Sequence, residues 1–160
     1  MADKLVMGPA QAVYMAASME RRAVRLYERA ALVFSQGRLR QVMDDLLMEE
    51  RSHLQGFERL QRLEGAVSPE DAQLLDQRAA GTLFEGGLTG AVREGAFDSA
   101  VSLLRFAADE EERAAATYER FAEGTHGQTR ETFLLIARQE RRHLERLLGQ
   151  LYLLEETGDA

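Results

Sequence analysis

Apolar residues recur at intervals of three and four along most of the chain, the 3.6-residue period of helices buried on one face. From Pro9 the stripe runs Val13, Ala16, Ala17, Ala23, Val24, Tyr27, Ala30, Ala31 and Phe34, which predicts a helix over 9–35. Proline suits a first helical turn, where its missing N–H is not needed. Gln36-Gly37 reads as the stop, with Gly37 as a left-handed cap. A second stripe, Val42, Met43, Leu46, Leu47, Leu54, Phe57 and Leu60, predicts a helix over 39–63. The turn between the two is short, so they should lie antiparallel. A third helix is predicted over 98–123, with Asp98 or Ser99 near its cap and a stripe of Val101, Leu104, Ala108, Ala115, Tyr118 and Ala122. After the turn Gly124-Thr125-His126-Gly127 comes a fourth, over 128–155, with Phe133, Ile136, Ala137, Leu144, Leu147 and Leu151. Between 65 and 95 the period breaks up among glycines at 81, 86, 87, 90 and 95. Ser68-Pro69-Glu70-Asp71 is a helix start, and short helices are predicted over 70–79 and 89–94 of a crossover long enough to run the length of a bundle. The fold class is therefore all-α, a four-helix bundle in one domain of 160 residues.

Polar residues interrupt these stripes at matching places. Glu20 falls between Ala17 and Val24, and Glu111 between Ala108 and Ala115. Glu50 and His53 share one helical face, as do Glu140 and His143, because residues three apart are neighbours on a helix. A lone Glu-x-x-His is a weak sign, since glutamates are common on solvated helical faces. Here it occurs twice, each time inside an apolar stripe. The halves also match around it: Glu20 stands seven residues before Tyr27, and Glu111 seven before Tyr118. Glu50 follows Glu20 by 30 residues and Glu140 follows Glu111 by 29. Two such hairpins packed about a pseudo-twofold would bring Glu20, Glu50, His53, Glu111, Glu140 and His143 together. A buried carboxylate costs several kcal/mol unless it is neutralised or finds a cation. Four carboxylates nearly balance two divalent ions, and a set of hard oxygens with two imidazole nitrogens suits iron or manganese, or a mixed pair.

Neighbouring residues have plainer readings. Tyr27 and Tyr118 are core aromatics whose hydroxyls need a partner, and a ligand glutamate is the nearest candidate; they join the four glutamates in the candidate catalytic set. Glu110 and Glu112 compete with Glu111 for its role. Glu112 lines up with Arg105 and Glu119, whereas Glu110 shares a side with Leu103 and Phe106, so Glu110 stays open. His126 lies in a glycine-rich turn and reads as solvated, and the methionines read as core filler.

Composition narrows the chemistry further. The chain has no cysteine, which removes thiolate nucleophiles, disulfides and cysteine-bound metals. A net charge of −7, with arginines interleaved among glutamates, speaks for a salt-bridged surface and against nucleic acid as partner. The absence of a run of about 18 apolar residues predicts no spanning helix. Met1-Ala2-Asp3-Lys4 lacks the apolar core of a secretory signal, so a cytoplasmic location and no membrane partner are expected.

In Glu20…Tyr27…Glu50-x-x-His53 and its repeat Glu111…Tyr118…Glu140-x-x-His143, the chain resembles the rubrerythrin family of ferritin-like di-iron proteins. The resemblance covers about 9–63 and 98–154. It implies a ferritin-like four-helix bundle, a centre of two iron ions cycling between Fe2+ and Fe3+, and reduction of hydrogen peroxide or oxidation of Fe(II). It also implies homodimers, some with exchanged helices. Two departures stand out. Typical members carry a rubredoxin domain with paired Cys-x-x-Cys, so without cysteine any electrons would come from an external donor such as a rubredoxin. Typical members also offer an extra glutamate one turn after the third-helix ligand, where this chain has Ala114 and Ala115. The leading expectation is a di-iron oxidoreductase. The alternatives are an iron-handling protein without true turnover and a structural bundle used as an interaction module.

Overall fold

Six α-helices make up the computed structural model, which describes residues 5–82 and 87–157, and no strand occurs among the described residues. Met1-Ala2-Asp3-Lys4 and Gly86 lie outside them. The helices are α1 (Pro9–Val33), α2 (Gly37–Glu64), α3 (Pro69–Thr82), α4 (Gly87–Arg93), α5 (Ala100–Glu123) and α6 (Gly127–Thr157). The four long ones fall close to the predicted spans, and α3 and α4 to the predicted short ones. None of the described helices is long and apolar enough to cross a membrane.

Local chemistry explains most of the ends. Pro9 opens α1. Ser99 caps α5, its hydroxyl accepting from the Ser102 amide at 3.0 Å, which settles the choice between Asp98 and Ser99. Thr125 closes α5 by donating to the Phe121 carbonyl at 3.0 Å. Gly37 does take a left-handed backbone, at φ 75°, but as the first residue of α2. The last turn of α1 ends instead on Phe34, whose amide bonds the Ala30 carbonyl. Gly37 thus serves the tight reversal between helices.

Two apolar clusters lie at opposite ends of the long helices. One gathers Val13, Ala16 and Met19 of α1, Phe57 and Leu60 of α2, Tyr118 and Ala122 of α5, and Phe133 and Ile136 of α6. Its rings pack tilted, with Phe57 and Tyr118 centroids 5.2 Å apart and Phe57 and Phe133 5.4 Å apart. The other is aliphatic, with Ala30 of α1, Leu39, Met43 and Leu46 of α2, Leu103 and Leu104 of α5, and Leu147 of α6. Each fully buried Leu, Met or Phe contributes about 1.5–3 kcal/mol. The clusters also give the topology: the end of α2 lies with the end of α5, and the two starts lie together, so α2 and α5 run the same way. A tight turn cannot join such a pair, which is why the crossover is long. It runs back along α1, where Gln11 bonds Asp71 at 3.1 Å and Tyr14 bonds Asp76 at 3.2 Å.

Candidate metal centre

Between the two apolar clusters the stripes turn polar, and the six residues singled out by the repeat meet there. Glu20 comes from α1, Glu50 and His53 from α2, Glu111 from α5, and Glu140 and His143 from α6. None is more than 4% exposed. Their ligand atoms form two overlapping sets, Glu20–Glu50–His53–Glu140 and Glu50–Glu111–Glu140–His143, within each of which all lie within 4.8 Å of one another. Glu50 and Glu140 belong to both. The buried Glu and His groups could therefore hold metal ions.

Both imidazoles turn Nδ1 inward. His53 Nδ1 lies 2.6 Å from Glu140 Oε1, and His143 Nδ1 lies 2.8 Å from Glu50 Oε1. The rings are 5.5 Å apart and 19° from parallel. These approaches lack hydrogen-bond geometry. Among the described residues, seven buried side-chain atoms have no hydrogen-bond partner: Glu20 Oε2, both Glu50 oxygens, His53 Nδ1, Glu111 Oε2, Glu140 Oε1 and His143 Nδ1. All seven belong to the six residues. Buried polar atoms are rarely left so, and a concentration of lone-pair donors at one point is what a cation satisfies. The donor set fits bound metal on this ground.

Electrostatics points the same way. Burial, then the Glu50 and Glu111 charges, holds the Glu20 carboxyl well above the usual carboxylate range. Burial, then Glu111, Glu50 and Glu20, does the same to Glu140. Burial would raise Glu50 too, but the close approach of Glu20, His143 and His53 outweighs it and holds Glu50 well below. Burial would lower His143, yet Glu111 and Glu50 push it up to about 11. Carboxylates so crowded share protons or take cations.

The tyrosines reach across the molecule. Tyr27 of α1 donates to Glu111 Oε1 of α5 at 2.6 Å, and Tyr118 of α5 donates to Glu20 Oε1 of α1 at 2.9 Å. Burial, then the Glu111 charge, raises the Tyr27 hydroxyl well above its usual range. Burial, then the Glu20 charge, does so for Tyr118. Both thus stay neutral donors.

Glu110 is buried but absent from either ligand set, and the Arg113 guanidinium lies 3.5 Å from it. Glu112 and His126 are exposed. The methionines divide: Met15, Met19 and Met43 are core, whereas Met48 is 71% exposed, which corrects the reading of methionines as filler. Sequence reasoning did not single out the residues behind the histidines. Gln139 Oε1 lies 2.8 Å from His53 Nε2, and Glu49 Oε2 hydrogen-bonds His143 Nε2. A signal existed, since each immediately precedes a ligand glutamate. A polar cavity of about 230 Å³ opens onto both rings, lined by Glu49, Ser52, Gln139, Arg142 and Arg146. No family model, curated protein or solved structure matches the chain.

Proposed function

We propose that this chain is a rubrerythrin-like protein with a ferritin-like four-helix bundle, and that its centre holds two iron ions as a non-haem di-iron oxidoreductase acting on hydrogen peroxide or on Fe(II). One observation carries the reading: two four-residue ligand sets share Glu50 and Glu140. Residues common to two adjacent sets would help to hold both ions. Glu20 and His53 complete one set, and Glu111 and His143 the other. Two ferrous ions so held would supply the two electrons that, with two protons, reduce one hydrogen peroxide to two waters.

The chain's own groups do the rest. Four carboxylates oppose the charge of two divalent ions. Tyr118 and Tyr27 fix one oxygen each of Glu20 and Glu111 and leave the other oxygen of each without a protein partner. The apolar clusters on either side limit water at the centre. Reducing equivalents come from an external donor such as a rubredoxin, because the chain has no cysteine. The working form is a homodimer.

A second reading is favoured by α5. Ala114 and Ala115, one turn past Glu111, are both buried and offer no further carboxylate, which suits a protein that oxidises or carries Fe(II) without rapid turnover. Anaerobic Fe(II) titration tests the centre, with two equivalents bound per chain expected; less than one equivalent defeats it. Rapid mixing of the loaded protein with peroxide and with oxygen then separates the two readings, because only the oxidoreductase sustains turnover when a donor is present.

A further inference from the structure

Glu49 and Gln139 occupy equivalent places in the two halves. Each immediately precedes a ligand carboxylate, and each meets the outward nitrogen of the opposite half's histidine. With Nδ1 as ligand, each ring carries its proton on Nε2 and donates it outward, to Glu49 from His143 and to the Gln139 amide oxygen from His53. The geometry repeats and the chemistry does not: one acceptor is an anion, the other a neutral dipole. A carboxylate draws the Nε2 proton more strongly than an amide oxygen does, and leaves more electron density on Nδ1 for a metal. The remaining ligands do not break the equivalence, since each set has one terminal glutamate, one histidine and the same two shared glutamates. Arg146, in the same cavity, is engaged by Asp45 at 2.7 Å.

Building on the two-metal reading above, we propose that the Glu49/Gln139 pair makes the two metal positions unequal, the position served by His143 being the tighter. The Glu49 side chain is 52% exposed, so water screens its charge, and the effect should lie near the lower end of the roughly 10–100-fold range of such outer contacts. Unequal positions would give the centre an order of filling, with the ion beside His53 the first to leave.

Cobalt(II), which needs no redox step, is the probe, read by its visible absorption and by competition with a chelator. The expected result is two binding steps about tenfold apart in affinity. His143→Ala should remove the tighter step and His53→Ala the weaker. Glu49→Gln keeps shape and hydrogen bond but removes the charge; it should weaken the tighter step about tenfold and bring the two together. Gln139→Glu should tighten the weaker step by a similar factor, a gain that no loss of packing produces. Two equal steps in the parent, or a Glu49→Gln variant that leaves the steps apart or weakens both alike, overturns the inference while the two-metal centre stands. A parent that takes up fewer than two cobalt ions overturns both.

Discussion

The α1–α2 and α5–α6 hairpins carry the same Glu, Tyr and His groups at nearly the same spacing, but contacts within a hairpin differ in kind from contacts between hairpins. Within each, an arginine beside the ligand glutamate pairs with a glutamate beside the tyrosine: Arg51 with Glu28 at 3.1 Å, and Arg141 with Glu119 at 2.7 Å. These pairs are about half exposed, and such surface pairs contribute only about 0–1 kcal/mol. Between hairpins the matched contacts are buried. Tyr27 reaches Glu111 and Tyr118 reaches Glu20, while His53 Nδ1 lies nearest Glu140 and His143 Nδ1 nearest Glu50. Neither hairpin alone holds a complete ligand set, because each set takes residues from both. Association of the halves and assembly of the centre are therefore one event.

The largest test of that coupling is metal removal. Without cations the halves are joined across crowded carboxylates. Metal bound at a thousand times its dissociation constant adds about 4 kcal/mol per site, and at this chain length each kcal/mol moves Tm by about 2–4 °C. The loaded protein should thus melt roughly 10 °C or more above the metal-free form. Metal-free stability should also fall as pH rises from 6 to 9. Glu20 and Glu140 are raised above their unfolded values and His143 is pushed up to about 11. Each contributes stability that is fully present below its unfolded pKa and lost as pH rises toward its folded pKa. A proton held only by the folded state changes stability by about 1.4 kcal/mol per pH unit. Glu50 works oppositely, but its contribution is lost only as pH falls below the ordinary carboxylate range, outside this window. Metal binding needs deprotonated ligands, so the gap between loaded and metal-free melting should widen with pH. Calorimetry across pH 6–9 checks this, and equal melting of the two forms would mean that the carboxylates are not the joint.

Shared and unshared ligands should separate next. Glu50→Gln and Glu140→Gln should weaken both positions, by more than the roughly 10–100-fold that outer contacts cost. Glu20→Gln and Glu111→Gln should weaken mainly one position each. Stoichiometry by titration distinguishes them, and an even loss from all four variants would show that no residue bridges.

A smaller, kinetic difference concerns α5. Ala114 and Ala115 are apolar where a second carboxylate from this helix, beside Glu111, could reach an ion. Single-turnover oxidation of the diferrous protein by peroxide should outpace steady-state turnover with excess rubredoxin and its reductase. Ala114→Glu should narrow the gap if its side chain reaches the centre. Ala115 is 0% exposed, so Ala115→Glu also overpacks the core and should lower Tm, a control for the loss of packing alone. Fast turnover in the parent would show that the extra carboxylate is dispensable.

The long helices were legible because each buries one broad stripe, and period is what a sequence records of burial. The clustering of the six buried Glu and His positions was legible because a carboxylate inside an apolar stripe contradicts its surroundings twice over, at repeating distances. Glu110 was harder. α5 packs against both α6 and α1, so its buried face widens to include Leu103, Ala107, Glu110 and Thr117 beside the expected stripe, and period alone cannot tell which buried glutamate points to the centre. Glu49 of α2 and Gln139 of α6 sit at the edges of the buried faces of their own helices, and their partners lie on the other hairpin. The ends of α3 and the place of Gly37 depend on turns, whose geometry is set by neighbours as much as by the residue.

The smallest effect is the most specific to the cross-linked arrangement. Tyr27→Phe and Tyr118→Phe each remove one hydroxyl and keep the ring, so no large cavity opens. Losing a donor to a buried carboxylate should cost about 1–3 kcal/mol, seen as a few degrees in Tm. The informative readout is which metal position weakens. If the tyrosine acted on its own hairpin, Tyr27→Phe would loosen the position of Glu20 and His53. Because its hydroxyl bonds Glu111, it should instead loosen the position of Glu111 and His143, and Tyr118→Phe that of Glu20 and His53. Titration of each variant, scored against the single-histidine variants, decides it. Weakening on the tyrosine's own side would mean that the two halves are joined by their ligands alone, with the hydroxyls as bystanders.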